Sequence, residues 1–160
     1  MSRNRIAAIC LSLLLGCSDR DDSSGRPETL VTEYDQSEMD RAIAEARRTL
    51  PSFLERWKSP RPGDSEFFVK VRIRDGSATE HFWLGEPALE GERFEGTIDN
   101  DPGVVKNVRI GQRWAFASDD VSDWMYRDAS GTVQGSYTTR VLLKTLPAGE
   151  ARDLEKAMGW

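Results

Sequence analysis

The stretch FFVKVRIRDG, residues 67–76, decides the fold, because its apolar and basic side chains alternate. Successive side chains of an extended chain point to opposite faces, so Val69, Val71 and Ile73 share one face while the basic residues take the other. An Asp-Gly turn follows, and residues 79–84 return as the hairpin partner. The stretch therefore predicts a half-buried strand of an antiparallel sheet.

A helix is predicted before this strand. Apolar residues recur at intervals of three and four, which is typical of a helix with one buried face. The stripe consists of Met39, Ile43, Ala46, Leu50, Phe53, Leu54 and Trp57. Ser37 begins the helix in a pattern that resembles a capping box ending at Asp40. Pro51 predicts a kink or a helix in two pieces, because proline lacks a backbone donor.

Downstream, short apolar segments separated by turn residues predict more strands. They cover Arg93–Ile98, Val104–Ile110, Arg113–Ala117 and Val121–Tyr126, and Val133–Leu143 begins as a strand and could finish as a helix. Pro147 opens a last helix whose inner face carries Ala151, Leu154 and Ala157 or Met158. This order predicts one α+β domain over residues 37–160. Its N-terminal helix, kinked at Pro51, packs on a twisted antiparallel sheet of five or six short strands that could be barrel-like, followed by a short C-terminal helix.

The amino-terminal residues carry a different pattern. Arg3 and Arg5 precede an apolar run over residues 6–15, which is too short to cross a bilayer and is typical of a signal peptide. The tetrapeptide Leu14-Leu15-Gly16-Cys17 resembles the lipobox of bacterial lipoproteins. That resemblance implies cleavage between Gly16 and Cys17 and a lipid on the Cys17 thiol. The alternatives are an ordinary signal peptide with a chance cysteine, or an uncleaved anchor.

The predicted signal peptide is therefore 1–16, and 17–36 is a lipidated cysteine with a disordered acidic tether. The lipid on Cys17 would make the membrane a partner. Residue 18 is serine, whereas lipoproteins kept in the inner membrane carry aspartate after the cysteine. The resemblance therefore favours the outer membrane, facing the periplasm.

Composition excludes several functions. The net charge of −5 disfavours nucleic acid as a partner, since phosphate binding needs clustered basic residues. His81 is the sole histidine, and Cys10 would leave with the signal peptide. A zinc site or a cysteine nucleophile therefore lacks its residues, and no Gly-x-Ser-x-Gly motif presents a serine. We expect no cofactor, no metal and no catalytic residues.

Carboxylates are the remaining route to catalysis. Glu80, Asp119, Asp120 and Asp123 could supply the acid and base of a glycan hydrolase. A solvated acidic loop explains the same residues, so hydrolysis is the weaker hypothesis.

A group of aromatic and polar residues is the candidate binding surface: His81, Trp83, Asp123, Trp124, Tyr126, Tyr137 and Arg140. Large aromatic side chains with a polar tip suit recognition. The alternative is that they fill the core of the sheet. Asp123 and Arg140 could equally form a structural ion pair.

Several motifs together resemble one family. They are Phe68-Val69-Lys70-Val71, Glu80-His81-Phe82-Trp83-Leu84, Gly111-Gln112 before Trp114, Asp123-Trp124-Met125-Tyr126, and Gly135-Ser136-Tyr137-Thr138-Thr139-Arg140. In this order, over about residues 42–146, they resemble the YegJ-like bacterial domains of unknown function (DUF2314). The family has no established activity and offers no catalytic residues. Its small exported members and larger multi-module members imply an interaction domain.

These observations predict a non-catalytic binding module held in the cell envelope by lipid, with a possible protein partner there. An immunity-like protein that neutralises a periplasmic toxin is an alternative, and the glycan hydrolase is a weaker one. The oligomeric state is left open.

Overall fold

The computed structural model describes residues 34–90 and 93–160. The predicted signal peptide, Gly16, Cys17 and most of the predicted tether therefore lie outside the described residues. The helices are α1 (Gln36–Lys58), α2 (Tyr137–Leu143) and α3 (Ala148–Met158). The strands are β1 (Ser65–Asp75), β2 (Ala78–Glu90), β3 (Arg93–Ile98), β4 (Arg113–Phe116), β5 (Val121–Arg127) and β6 (Val133–Gly135), and a 3-10 turn covers Ser118–Asp120.

The six strands form one antiparallel sheet in the order β4-β3-β2-β1-β5-β6. The predicted hairpin pairs β1 with β2, and Lys70 lies opposite Trp83 in its register. The α+β class, the antiparallel pairing and the terminal helices are thus confirmed. The sheet is open, so the barrel-like alternative is wrong.

Helix α1 is a single helix that runs through Pro51. Its N-cap is Asp35, whose carboxylate accepts the backbone N–H groups of Ser37 and Glu38. The cap therefore lies two residues before the predicted Ser37. No helix in the described part of the chain is long and apolar enough to span a membrane.

A first core lies between α1 and one face of the sheet. Ala46, Leu50 and Phe53 of the predicted stripe are buried there. The alternating β1 residues Val69, Val71 and Ile73 meet them from the sheet, and Phe82 and Leu84 of β2 lie beside these. The alternation in residues 67–76 thus positions the core as predicted.

A second core, absent from the prediction, covers the opposite face. Trp83 of β2 and Met125 of β5 pack against Leu154 and Met158 of α3 and against Val133. Helix α3 therefore gives this part of the sheet a second layer. Ala157, a predicted alternative to Met158 on the inner face, is exposed.

The predicted strand Val104–Ile110 is wrong, because this segment is an irregular loop. Carboxylates, rather than a neighbouring strand, accept its backbone N–H groups. Glu80 accepts the N–H groups of residues 103–105, and Asp75 accepts that of Lys106. Val105 and Val108 are buried under the loop, whereas Val104 and Ile110 are exposed.

Candidate functional site

The two tryptophans of the predicted binding surface are buried. Trp83 and Trp124 are each 6 % exposed and lie in different cores on opposite faces of the sheet. The Trp124 ring stacks on Phe53 at 5.2 Å between centroids, and its Nε1–H donates to the carbonyl of Ala46 at 3.0 Å. The prediction that these tryptophans form one exposed surface is wrong, and the core alternative holds for both.

The two tyrosines of that predicted surface are half-buried beside Trp124. The Tyr126 ring stacks on Phe67 at 5.3 Å between centroids. Tyr137 meets the Trp124 ring edge-on at 5.7 Å, and its hydroxyl accepts from the Thr49 Oγ1–H at 3.3 Å. Through these contacts, both tyrosine rings pack at the edge of the first core.

Asp123 is fully buried and holds the start of α2. One carboxylate oxygen accepts the backbone N–H groups of Trp124 and Tyr137, at 2.9 and 3.1 Å. The other accepts the N–H and hydroxyl of Thr138, at 2.8 and 2.6 Å. Burial raises the pKa of this carboxyl, while the charge of Lys70 and these hydrogen bonds act in the opposite direction. The arrangement satisfies donors that would otherwise be orphaned at the N-terminus of α2.

Of two further polar residues, Lys70 joins this network and Arg140 lies outside it. Lys70 lies opposite Asp123 in the sheet, and its Nζ donates to Thr138 Oγ1 at 3.1 Å. Arg140 is exposed, and its guanidinium lies 3.6 Å from the centroid of the Trp160 ring. The predicted Asp123–Arg140 ion pair is not formed in the described part of the chain.

His81 lies on the same face of the sheet as Trp83. A register shift between β1 and β5 turns Ser122 towards it, and Ser122 Oγ lies 2.8 Å from His81 Nδ1. The Ser122 hydroxyl also lies 3.2 Å from the carbonyl oxygen of Lys70, so it links the imidazole to the backbone of β1. Burial, followed by the charges of Lys70, Arg72 and Arg47, lowers the pKa of His81 to about 4.

The Gly-Ser motif after β6 has a conformational cause. Gly135 and Ser136 both have positive φ, +76° and +55°. A Cβ at Gly135 would overlap the backbone carbonyl and ring of Trp124, so only glycine fits there. The motif therefore turns the chain from β6 into α2, where it meets Asp123.

The carboxylates considered for glycan hydrolysis do not form a common acidic site. Glu80 is engaged by the loop at residues 103–105, and Asp123 is engaged by α2. Asp119 and Asp120 lie together on the 3-10 turn. Across the described residues, no group of three or more Asp, Glu, His or Cys side chains could hold a metal ion.

A concave surface lies elsewhere, where α1 crosses the sheet, and we call it the α1 groove. Its apolar end is lined by Leu50, Leu54, Trp57, Val69, Pro87, Phe94, Phe116 and Val121. This end holds a free volume of about 10 Å³, room for roughly one water molecule. Its open end holds about 590 Å³ and adjoins the apolar end at Leu50 and Leu54.

The open end of the groove brings charge next to that apolar surface. Arg47 projects from α1, Arg72 from β1, and Asp119 from the 3-10 turn. The sequence analysis missed these residues. A signal was present in α1, because Leu54 and Trp57 extend the apolar stripe beyond the buried Phe53.

Comparison with known proteins places the chain among uncharacterized bacterial proteins. It is 42 % identical over 128 residues to the uncharacterized protein YegJ of Escherichia coli K12, covering 79 % of this chain and 82 % of that protein. It is 27 % identical over 129 residues to a putative ankyrin repeat protein of Neisseria meningitidis serogroup B, covering 76 % of this chain and about half of that protein, 51 %.

No solved structure matches the chain. The family model described as an uncharacterized protein conserved in bacteria (DUF2314) matches residues 36–160, a range that includes every helix and strand of the described residues. The chain therefore belongs to the DUF2314 family.

Proposed function

We propose that this protein is a lipid-anchored, non-catalytic binding module of the bacterial cell envelope, and that it takes a protein partner in the α1 groove. The observation that carries the proposal is the groove itself, where apolar side chains left half-buried on α1 adjoin two arginines. Aromatic and arginine side chains dominate the binding energy of protein interfaces. Trp57, Arg47 and Arg72 supply both kinds.

The structural roles of the polar residues also favour binding over catalysis. The carboxylates of Glu80 and Asp123 each accept hydrogen bonds from backbone N–H groups. These bonds hold a loop and a helix in place. A general acid or base must instead reach a substrate proton. Binding needs no such residue.

Site-specific cross-linking tests the groove. Benzoylphenylalanine in place of Trp57 in the full chain, irradiated in cells, should form one discrete adduct whose partner is a protein identifiable by mass spectrometry. Leu54→Arg should abolish that adduct, because it places a charge against the apolar end. Arg48→Gln, on the exposed side of the same helix, should leave it unchanged. Equal adducts with Leu54→Arg would contradict the proposal, provided that circular dichroism shows both variants folded.

The anchor is a separate part of the proposal and rests on the lipobox resemblance at Cys17. Cells fed a radiolabelled fatty acid should label the wild-type chain and not Cys17→Ser. Equal signals from the two chains would contradict lipidation. Fractionation of the wild type should then recover it with the outer membrane.

A further inference from the structure

Helix α3 is attached to the rest of the domain by a small contact. Leu154 and Met158 are the buried side chains among its 11 residues, and they pack on Trp83 and Met125 of the sheet. Among the described residues, the backbone of α3 lies against no other element as extensively as α1 or α2 lies against β5. A helix of this length is marginal by itself in water, so docking on the sheet keeps it formed.

The other attachment of α3 is the residue that follows its last turn. Trp160 Nε1–H donates to the carbonyl oxygen of Val133 at 2.9 Å, and the guanidinium of Arg140 lies over the Trp160 ring. The six-stranded sheet is paired without α3, which connects to α2 through residues 144–147. Detachment of α3 therefore breaks these contacts and leaves every strand pairing in place.

The sheet face under α3 offers more apolar surface than α3 covers. Phe68, Leu143 and Leu146 border Trp83 and Met125 and are only partly buried. An amphipathic helix with a longer apolar stripe than that of α3 would cover more of this surface. Such a helix would therefore displace α3 with a net gain in buried apolar area.

We propose that α3 is a reversible cover, which detaches while the sheet stays folded and exposes a binding face for an amphipathic helix of a partner protein. Helix α3 itself shows the chemistry that this face accepts, because it seats a leucine and a methionine four positions apart. A second copy of this chain offers only the same helix, at a lower local concentration than the attached one. The proposal concerns the face opposite the α1 groove and is independent of the binding role proposed there.

Native-state hydrogen exchange of the full chain tests the detachment. Amides of residues 152–158 should exchange about tenfold faster than the slowest amides of β1, because they open locally. Their exchange should also accelerate less steeply with urea, since local opening exposes less surface than global unfolding. Equal protection and equal urea slopes for α3 and β1 would overturn the proposal, because α3 would then leave only when the whole domain unfolds.

A fluorescent peptide tests the exposed face. The probe is a peptide of residues 147–160 with Ala151→Leu, which extends the apolar stripe of α3 by one turn. Fluorescence anisotropy should show saturable binding of this probe to the full chain. The same peptide with Leu154→Asp should not bind, because it places a charge at the buried position.

Two glycine substitutions in the full chain should shift the cover in opposite directions, since apparent affinity follows the open fraction. Gly159→Ala should tighten peptide binding about tenfold, because Gly159 has φ +72° and a Cβ there would lie 2.8 Å from the carbonyl oxygen of Gly131. Gly149→Ala should weaken it about fourfold, because alanine favours the helix and a Cβ there meets nothing within 4 Å. Arg152→Gln, at an exposed position of α3, is the control and should leave the affinity unchanged.

Two binding results would overturn the proposal. They are equal affinity for the two glycine variants, and no binding of the peptide to either variant at millimolar concentration. Sedimentation that reveals a wild-type dimer dissociated by the peptide would assign the face to a second copy and overturn the choice of a separate partner. The cross-link from position 57 tests the α1 groove alone, so the two proposals fail separately.

Discussion

The two faces of the sheet are built differently. The face under α1 is covered by one 23-residue helix and filled with apolar side chains, with Trp124 and Phe53 stacked at its centre. The opposite face packs against the short helix α3 at Trp83 and Met125, and it also carries Lys70, His81 and Asp123. The face under α1 is stabilised mainly by apolar packing. The opposite face also contains buried polar groups, which are costly to bury unless they are hydrogen-bonded.

The difference explains why the same aromatic and polar motifs misled the prediction of a binding surface. On the α1 face, Trp124 is part of the hydrophobic core. On the other face, a carboxylate and a lysine are also structural, because they hold α2 against the sheet. The proposed binding site lies at the margin of the first core, where α1 does not fully cover the apolar side chains.

The largest effect should come from the packed face. Trp124→Ala should lower the free energy of unfolding by about 3–5 kcal/mol, since it removes a buried indole and leaves a cavity. Urea unfolding followed by circular dichroism measures this. Trp114→Ala, at a half-buried position on the outermost strand β4, should have a smaller effect. If the two substitutions were equally mild, Trp124 would not be the centre of the core.

Asp123→Asn tests the polar face and should lower the free energy of unfolding by about 2–4 kcal/mol. The amide has one acceptor oxygen where the carboxylate has two, and Lys70 loses a buried counter-charge. The same urea titration measures it. Asp119→Asn, at an exposed position, is the control and should stay within about 0.5 kcal/mol of wild type. A similarly small change for Asp123→Asn would show that the network adds nothing to stability.

His81 should make the polar face sensitive to acid. The folded pKa of about 4 lies below the ordinary value of 6.5, so the unfolded chain binds a proton first as the pH falls. Stability from this residue is complete above pH 6.5 and is lost between pH 6.5 and about 4, by about 2–3 kcal/mol. His81→Gln should flatten this part of the unfolding profile. Parallel profiles for the two proteins would contradict the assignment.

Arg140→Gln should have the smallest effect, no more than about 1 kcal/mol, because it removes only the contact of an exposed guanidinium with the Trp160 ring. Thermal unfolding with wild type as reference measures the difference. A loss of several kcal/mol would instead indicate the buried ion pair with Asp123 that the sequence suggested.

Much of the fold follows from local patterns. The alternation in residues 67–76 positions β1 and its hairpin partner, and the stripe from Met39 to Phe53 positions α1. The loop over residues 99–112 could not be predicted in this way, since its apolar residues resemble a strand. The carboxylates of Glu80 and Asp75, distant in sequence, accept its backbone N–H groups.

The candidate site was less predictable, because it depends on which side chains remain uncovered. Periodicity assigns Trp124 to one face and Asp123 to the other, but it does not reveal that helices cover both. Arg47 and Arg72 are 25 residues apart in sequence and look like ordinary solvent-facing positions. Only the packing of α1 against the sheet brings them to one groove.

The strand order has a consequence for self-association. The longest strands, β1 and β2 with 11 and 13 residues, are flanked on both sides within the sheet. The outermost strands β4 and β6 have only four and three residues. Unpaired strand edges are templates for intermolecular β-pairing, and short ones offer few groups to a second chain. Copies of this domain brought together at high concentration would therefore find little strand edge on which to aggregate.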